Sequence, residues 1–168
     1  TNFIRTNSKP GGQTLENKIR WGVIGSGGIA RRRTIPEGIM HAPHATLAAV
    51  YDINSEVNDE VAALFGAKAA ASFDELLASG IDAVYIASPV VNHCEHVSAC
   101  SGAKKHVLCE KPLAMNADES RKMCAAARGS GKILQVALQQ RFTGQARFMK
   151  QFIDGGNMGD IYYARAQA

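Results

Sequence analysis

From Ile19 onward the chain alternates short β-prone apolar runs with longer, Ala-rich segments of helical period, and that alternation leaves few folds open. A strand–helix–strand repeat needs crossover connections, so its strands run parallel in one sheet with helices laid over the faces. The strand candidates are 20–24, 46–51, 68–70, 83–87, 106–109 and 133–138, and the helix candidates 28–40, 55–65, 73–79, 91–101, 117–129 and 144–154. Runs such as VYIA at 84–87 and HVLC at 106–109 are apolar on both faces, as a sheet covered on both sides requires. Asn54 or Ser55, Ser72 and Asn116 stand where N-caps belong, and Gly66, Gly80, Gly102 and Gly129 or Gly131 where helices stop. The expected fold class is α/β, a doubly wound parallel sheet.

Composition removes several function classes. The 168 residues suffice for one ordinary domain, and 46% apolar with 20% charged residues excludes disordered and fibrous chains. Net charge is only +4, and the basic residues are scattered apart from Arg31-Arg32-Arg33, so there is no footprint for nucleic acid. No run approaches the roughly 18 apolar residues of a membrane span, and Thr1–Pro10 has no basic cluster leading into an apolar stretch. A cytoplasmic protein is expected. Cys94, Cys100, Cys109 and Cys124 form no C-x-x-C and read as reduced thiols packed as small core residues.

The chain divides into three parts. Residues 1–18 are polar, broken by Pro10-Gly11-Gly12, and read as a mobile arm; 19–142 carry the α/β alternation; 143–168 hold a helix, the turn Gly155–Gly159 and an alternating run, IYYARAQA. A single strand at 161–168 cannot form a sheet alone, and its exposed edge would pair with another chain.

Residues with chemical potential collect where strands end. The first strand runs into Gly25-Ser26-Gly27-Gly28-Ile29-Ala30, which fits G-x-G-x-x-G/A between a strand and a helix. Gly25 permits the tight turn, Gly27 lets backbone approach a pyrophosphate, and small Ala30 lets helix pack on strand, bringing the anion to the helix N-terminus. Glycine also serves ordinary turns, so context matters. Asp52 ends the second strand about twenty residues later, where an acid bonds the adenosine ribose hydroxyls. Asp52 repels a 2′-phosphate and Ile53 offers no cation to hold one, which favours NAD over NADP. A side chain from Arg31–Arg33 folded over the ribose would admit NADP; otherwise the three line a solvated helix face.

Ser88 and Pro89 follow the fourth strand and would line the same crevice, with His93 at the start of the next helix. His93 faces either the cofactor or nothing more than a helix cap or the surface. His93, Cys94 and His96 do not make a metal site, because only the two histidines share a helix face and no third ligand follows at a zinc spacing. After the fifth strand come Glu110-Lys111-Pro112. Adjacent opposite charges often form a plain surface ion pair, yet a lysine at this strand end points to where a nicotinamide would lie and can serve as proton donor or acceptor.

Together these residues resemble the Gfo/Idh/MocA family (glucose-fructose oxidoreductase, inositol dehydrogenase and rhizopine-catabolism proteins). The matching segments are GSGGIA at 25–30, YD at 51–52, FGAKAAASFDELLAS at 65–79, IDAVYIASPVVNH at 81–93, HVLCEKPLAM at 106–115, QRF at 140–142 and GGNMGDI at 155–161. The resemblance implies a Rossmann-type domain binding NAD, with NADP as the alternative. It also implies hydride transfer between nicotinamide and a carbinol carbon of a sugar, polyol or related compound. It makes Gly25, Ser26, Gly27, Gly28, Ile29, Asp52, Ile53, Ser88, Pro89, His93, Glu110, Lys111 and Gln139 the cofactor residues. Lys111 orients substrate and assists proton transfer, Glu110 fixes the lysine, and Lys111–Pro112 is a cis bond by analogy. At Gln139 the family more often carries Asn.

The resemblance also implies a second, α+β substrate domain, of which 143–168 would supply only the connecting helix and first strand. Two expectations compete: the cofactor domain of an oxidoreductase whose substrate lobe lies elsewhere, or a stand-alone nucleotide-binding or interaction module that pairs through 161–168 with a partner or a second copy. A third, less favoured expectation is a complete enzyme with a very small site, which would have little left to enclose a substrate and exclude water.

Overall fold

The computed structural model describes residues 18–165. The arm expected at 1–18 falls, but for Lys18, outside the described residues.

Six strands and six main helices alternate along the chain: β1 (Ile19–Ile24), α1 (Ser26–Ile39), β2 (Ala45–Tyr51), α2 (Ser55–Phe65), β3 (Lys68–Ala69), α3 (Phe73–Ala78), β4 (Ala83–Ile86), α4 (His93–Gly102), β5 (His106–Cys109), α5 (Ala117–Ser130), β6 (Leu134–Val136) and α6 (Gly144–Asp154). Short 3₁₀ turns at Val90–Asn92 and Gln139–Phe142 lead into α4 and α6. The sheet is all parallel, in the order β3-β2-β1-β4-β5-β6. That order reverses direction between β1 and β4, and the reversal opens a crevice at the strands' carboxyl ends.

Local chemistry sets the boundaries. Asn54 accepts from the amides of Glu56 and Val57, Ser72 from Glu75, and Asn116 from Glu119, each satisfying donors that a helix start leaves free. Gly66 and Gly131 close α2 and α5 in the left-handed conformation. The helix α1 is unusual: its turns are of the wide, π type, Pro36 lies inside it, and Gly28 interrupts it with φ −84° and ψ −118°. The interruption leaves the continuous part starting just beyond Gly28, close to the boundary expected at 28.

Strand side chains alternate between two cores. Val84 and Ile86 join Ile24, Val97, Cys100, Cys109 and Met123 beneath α4 and α5, while Tyr85 joins Val23, Ala30, Ile35, Val50 and Val61 beneath α1 and α2. Each large apolar side chain fully buried this way contributes about 1.5–3 kcal/mol. Burial pushes the thiols of Cys100 and Cys109 up to about 12, so both stay protonated and unreactive at neutral pH. All four cysteines are free, and no described helix is long and apolar enough to cross a membrane.

The carboxyl-terminal part differs from expectation. Residues 161–165 form no strand and 166–168 lie outside the described residues; Tyr162 is 92% exposed, and no strand among the described residues pairs with this run. The helix expected at 144–154 does form. Its apolar residues Phe148, Met149, Phe152 and Ile153 face solvent.

Candidate functional site

The crevice begins where β1 runs into Gly25. This residue has φ +76°, and a Cβ there would lie 2.6 Å from the Ser88 amide nitrogen and 2.7 Å from the Ala87 carbonyl carbon, so the turns after β1 and β4 touch backbone to backbone. Only glycine fits. At Gly27 a Cβ would strike Val57 Cγ1 at 2.5 Å, whereas at Gly28 it would meet nothing within 4 Å. The first turn of α1 carries no acidic residue and its N-cap position, Gly25, offers no side chain, and the Ser26 hydroxyl is buried without a hydrogen-bond partner among the described residues. Open backbone at Gly28, the helix N-terminus beside it and an unpartnered hydroxyl fit an anion such as a diphosphate.

Asp52, at the end of β2, closes one side. Its Oδ2 accepts from the Gly27 amide at 3.0 Å and its Oδ1 from the Asn54 amide at 3.1 Å. Beside it lies a hollow of about 300 Å³ lined by Tyr51, Ile53, Asn58 and Ala69–Ala71, with Ile53 94% exposed at the rim. Two of the three arginines of α1 are engaged elsewhere: Arg31 pairs with Glu60 at 2.9 Å and Arg33 with Glu37 at 2.6 Å. Among the described residues none pairs with Asp52.

Beyond β4, Ser88 and Pro89 border the same crevice. The Ser88 hydroxyl lies 2.9 Å from His96 Nδ1, and the His96 ring stacks on Phe73 with centroids 5.1 Å apart. Burial holds the His96 imidazole below its ordinary value of 6.5. His93 does not open to the crevice. It is 1% exposed, with Nε2 2.9 Å from the Ser88 carbonyl and Nδ1 3.0 and 3.2 Å from the carbonyls of Pro112 and Leu113. Its ring joins the loop after β4 to the loop after β5, which leaves neither nitrogen for a ligand.

The loop after β5 carries Glu110, Lys111 and Pro112, and the Lys111–Pro112 peptide is cis. Lys111 is exposed, and no ion pair among the described residues includes it. Glu110 instead reaches the lysine's backbone, accepting from its amide at 3.0 Å. Glu110 also borders a cleft of about 600 Å³ with Ile29, Thr34, Tyr85, Gln139, Gln140 and Phe142. Gly25–Ile29, Asp52, Ser88, Glu110 and Gln139 thus all follow strand ends on the carboxyl-terminal side of the sheet.

With this geometry in place, comparison with known proteins is decisive. Residues 19–138 match the family model described as "Oxidoreductase family, NAD-binding Rossmann fold". The chain belongs to this family. Among curated relatives, the mouse trans-1,2-dihydrobenzene-1,2-diol dehydrogenase is 35% identical over 89% of this chain and 45% of its own length. The 1,5-anhydro-D-fructose reductase of Ensifer adhaerens is also 35% identical, over 87% of the chain and 44% of the reductase. Among solved structures, the WlbA dehydrogenase of Bordetella pertussis in complex with NADH and UDP-GlcNAcA superposes with a TM-score of 0.81 at 30% identity, covering 89% of this chain and 43% of that one. KijD10, a 3-ketoreductase of Actinomadura kijaniata in complex with NADP, gives 0.78 at 32%, covering 86% and 46%. The chain therefore spans less than half the length of these relatives, and it carries the NAD-binding Rossmann domain of the family.

In this Gfo/Idh/MocA domain two groups escaped the sequence reading. Tyr85, 1% exposed, donates to Glu110 Oε1 at 2.7 Å and accepts from the Thr34 hydroxyl at 3.0 Å. Burial, together with the Glu110 carboxylate, pushes its phenol above the usual range. The signal was present: Tyr85 is the one side chain with a polar atom inside the otherwise apolar run VYIA. The pairing of Ser88 with His96 carried no comparable mark, because it depends on where α4 lies.

Proposed function

We propose that the chain is the cofactor half of an oxidoreductase that moves hydride between a nicotinamide dinucleotide and a CH–OH group of a sugar, polyol or related compound. The observation that carries this reading is the Gly25–Ala30 turn, open at Gly28 and tied through Gly27 to Asp52, at the same carboxyl-terminal side of the sheet as Lys111, which is in no ion pair among the described residues. The bound cofactor would supply the hydride donor or acceptor. The chain's own residues do the rest. Backbone around Gly25–Ile29 with Ser26 holds the diphosphate, Asp52 beside Ile53 holds the adenosine ribose, and Ser88, Pro89 and Gln139 line the path toward the nicotinamide. Lys111, with Glu110 bonded to its backbone amide, orients a substrate hydroxyl or carbonyl and moves its proton.

NAD is the preferred cofactor in this reading, since Asp52 repels a 2′-phosphate and Arg31 and Arg33 are held by Glu60 and Glu37. The relatives support dinucleotide use in general, one being crystallised with NADH and another with NADP. Their names also favour alcohol–carbonyl chemistry. We assign 19–142 to the cofactor domain and 143–168 to the start of a substrate domain, in a cytoplasmic protein whose substrate is held only together with that domain.

Titration with NADH and NADPH, followed by fluorescence, tests the reading. NADH binding more tightly than NADPH is expected, and failure of both to bind at millimolar concentration overturns the site. The exposed apolar face of α6 favours a second reading, an interaction module that associates through its carboxyl-terminal part. Light scattering separates the two, because a stable, defined dimer without dinucleotide affinity would support the module.

A further inference from the structure

We propose that Tyr85 is a positioning residue whose hydroxyl holds the Glu110 carboxylate away from the Lys111 ammonium, leaving that ammonium free for a substrate. The inference rests on the oxidoreductase reading and deepens it by assigning a role to a residue outside the crevice motifs. Glu110 and Lys111 are adjacent in sequence, so an unrestrained carboxylate on this exposed loop would fold onto the neighbouring ammonium as a local ion pair. That pair is absent among the described residues. Glu110 has both oxygens committed elsewhere: Oε1 to the Tyr85 hydroxyl at 2.7 Å and Oε2 to the Lys111 amide at 3.0 Å. Bonds donated to a charged acceptor are stronger than those between neutral groups, so the carboxylate cannot rotate without losing one of them.

Tyr85 suits the task because it cannot move. Its ring is packed among Val23, Ala30 and Val50 on the α1 face of the sheet. Its hydroxyl has one proton, and the Thr34 hydroxyl on α1 settles where that proton goes: Thr34 donates to Tyr85 at 3.0 Å, so the Tyr85 proton is left for Glu110. The chain of donors runs one way, from Thr34 to Tyr85 to Glu110.

Competitive acetylation with acetic anhydride, read per lysine by peptide mass spectrometry across a pH series, tests the proposal on the whole chain. Tyr85→Phe removes only the hydroxyl. It is expected to lower the Lys111 rate, relative to Lys132, by about threefold, the weight of an exposed ion pair, and to move the onset of Lys111 labelling to higher pH. Adding Glu110→Gln to Tyr85→Phe removes the partner and is expected to restore the original rate and onset. A merely structural role for Tyr85 would move every lysine or none, and Glu110→Gln would not restore it. An unchanged Lys111 profile in Tyr85→Phe, or no restoration in the double variant, overturns the proposal. Should Tyr85→Phe fail to fold, Thr34→Val replaces it, with a smaller change in the same direction expected and no change overturning the idea. The labelling needs no dinucleotide, so failure of NADH to bind would overturn the cofactor reading without touching this result.

Discussion

The two ends of the crevice are built by different means. At the Gly25–Asp52 end the groups are backbone amides and one carboxylate, fixed by residues close in sequence to the turn they shape or one crossover away. At the Glu110–Lys111 end the loop is held from both sides by side chains from other elements, Tyr85 from β4 and His93 from α4. A backbone-built site leaves a mark in the sequence as required glycines, whereas a site braced by side chains leaves only ordinary core residues. The first end should therefore break through steric changes and the second through lost hydrogen bonds.

The largest effect is expected at Gly25. A valine there would combine a left-handed backbone with a Cβ 2.6 Å from the Ser88 nitrogen, and destabilisation of about 3 kcal/mol or more should appear in urea unfolding. Loss of dinucleotide binding should accompany it. His93→Ala should cost about 2 kcal/mol, because the ring N–H that donates to the Ser88 carbonyl or to those of Pro112 and Leu113 is lost from a buried position. Hydrogen exchange should rise at 111–114, while ADP-ribose, which probes only the far end, should bind within about twofold of the parent chain. Equal loss at both ends would erase the distinction drawn here.

Asp52→Ala should weaken NADH binding by about tenfold, as expected for charge-assisted bonds, and narrow the preference over NADPH, with a stability loss of about 1.5 kcal/mol because the Gly27 and Asn54 amides lose their acceptor. Calorimetric titration of both nucleotides checks this. The smallest effect is expected from pH. Burial lowers the His96 value in the fold, so the unfolded chain binds the extra proton more readily, and the associated stability is complete above the ordinary value of 6.5 and declines as pH falls below it. Thermal unfolding should show that decline, and His96→Gln should flatten it.

Much of this is legible in the sequence. The glycine turn, Asp52 and the helix caps depend on contacts within a few residues or on backbone conformations that only certain residues tolerate, so Gly25, Asn54 and Ser72 carry their roles openly. His93 and Tyr85 do not. Whether a histidine at a helix start faces a ligand or two carbonyls depends on where the next loop returns, and here Pro112 and Leu113 come back against it. Glu110 was expected to fix the lysine, but its grip on the backbone amide, with the ammonium left unpaired, follows from Tyr85 across the sheet. The strand expected at 161–168 shows the opposite limit, since alternation states a preference that only a neighbouring strand can satisfy.

The two outermost strands, β3 and β6, are two and three residues long. A free sheet edge invites aggregation in proportion to the row of unpaired amides and carbonyls it offers, and these edges offer very few. Self-association by strand addition is therefore discouraged at both flanks of the sheet. Oligomers of this chain, where they form, should bury the apolar side of α6 and leave the sheet unextended, which would be visible as protection of Phe148 and Phe152 without new β structure.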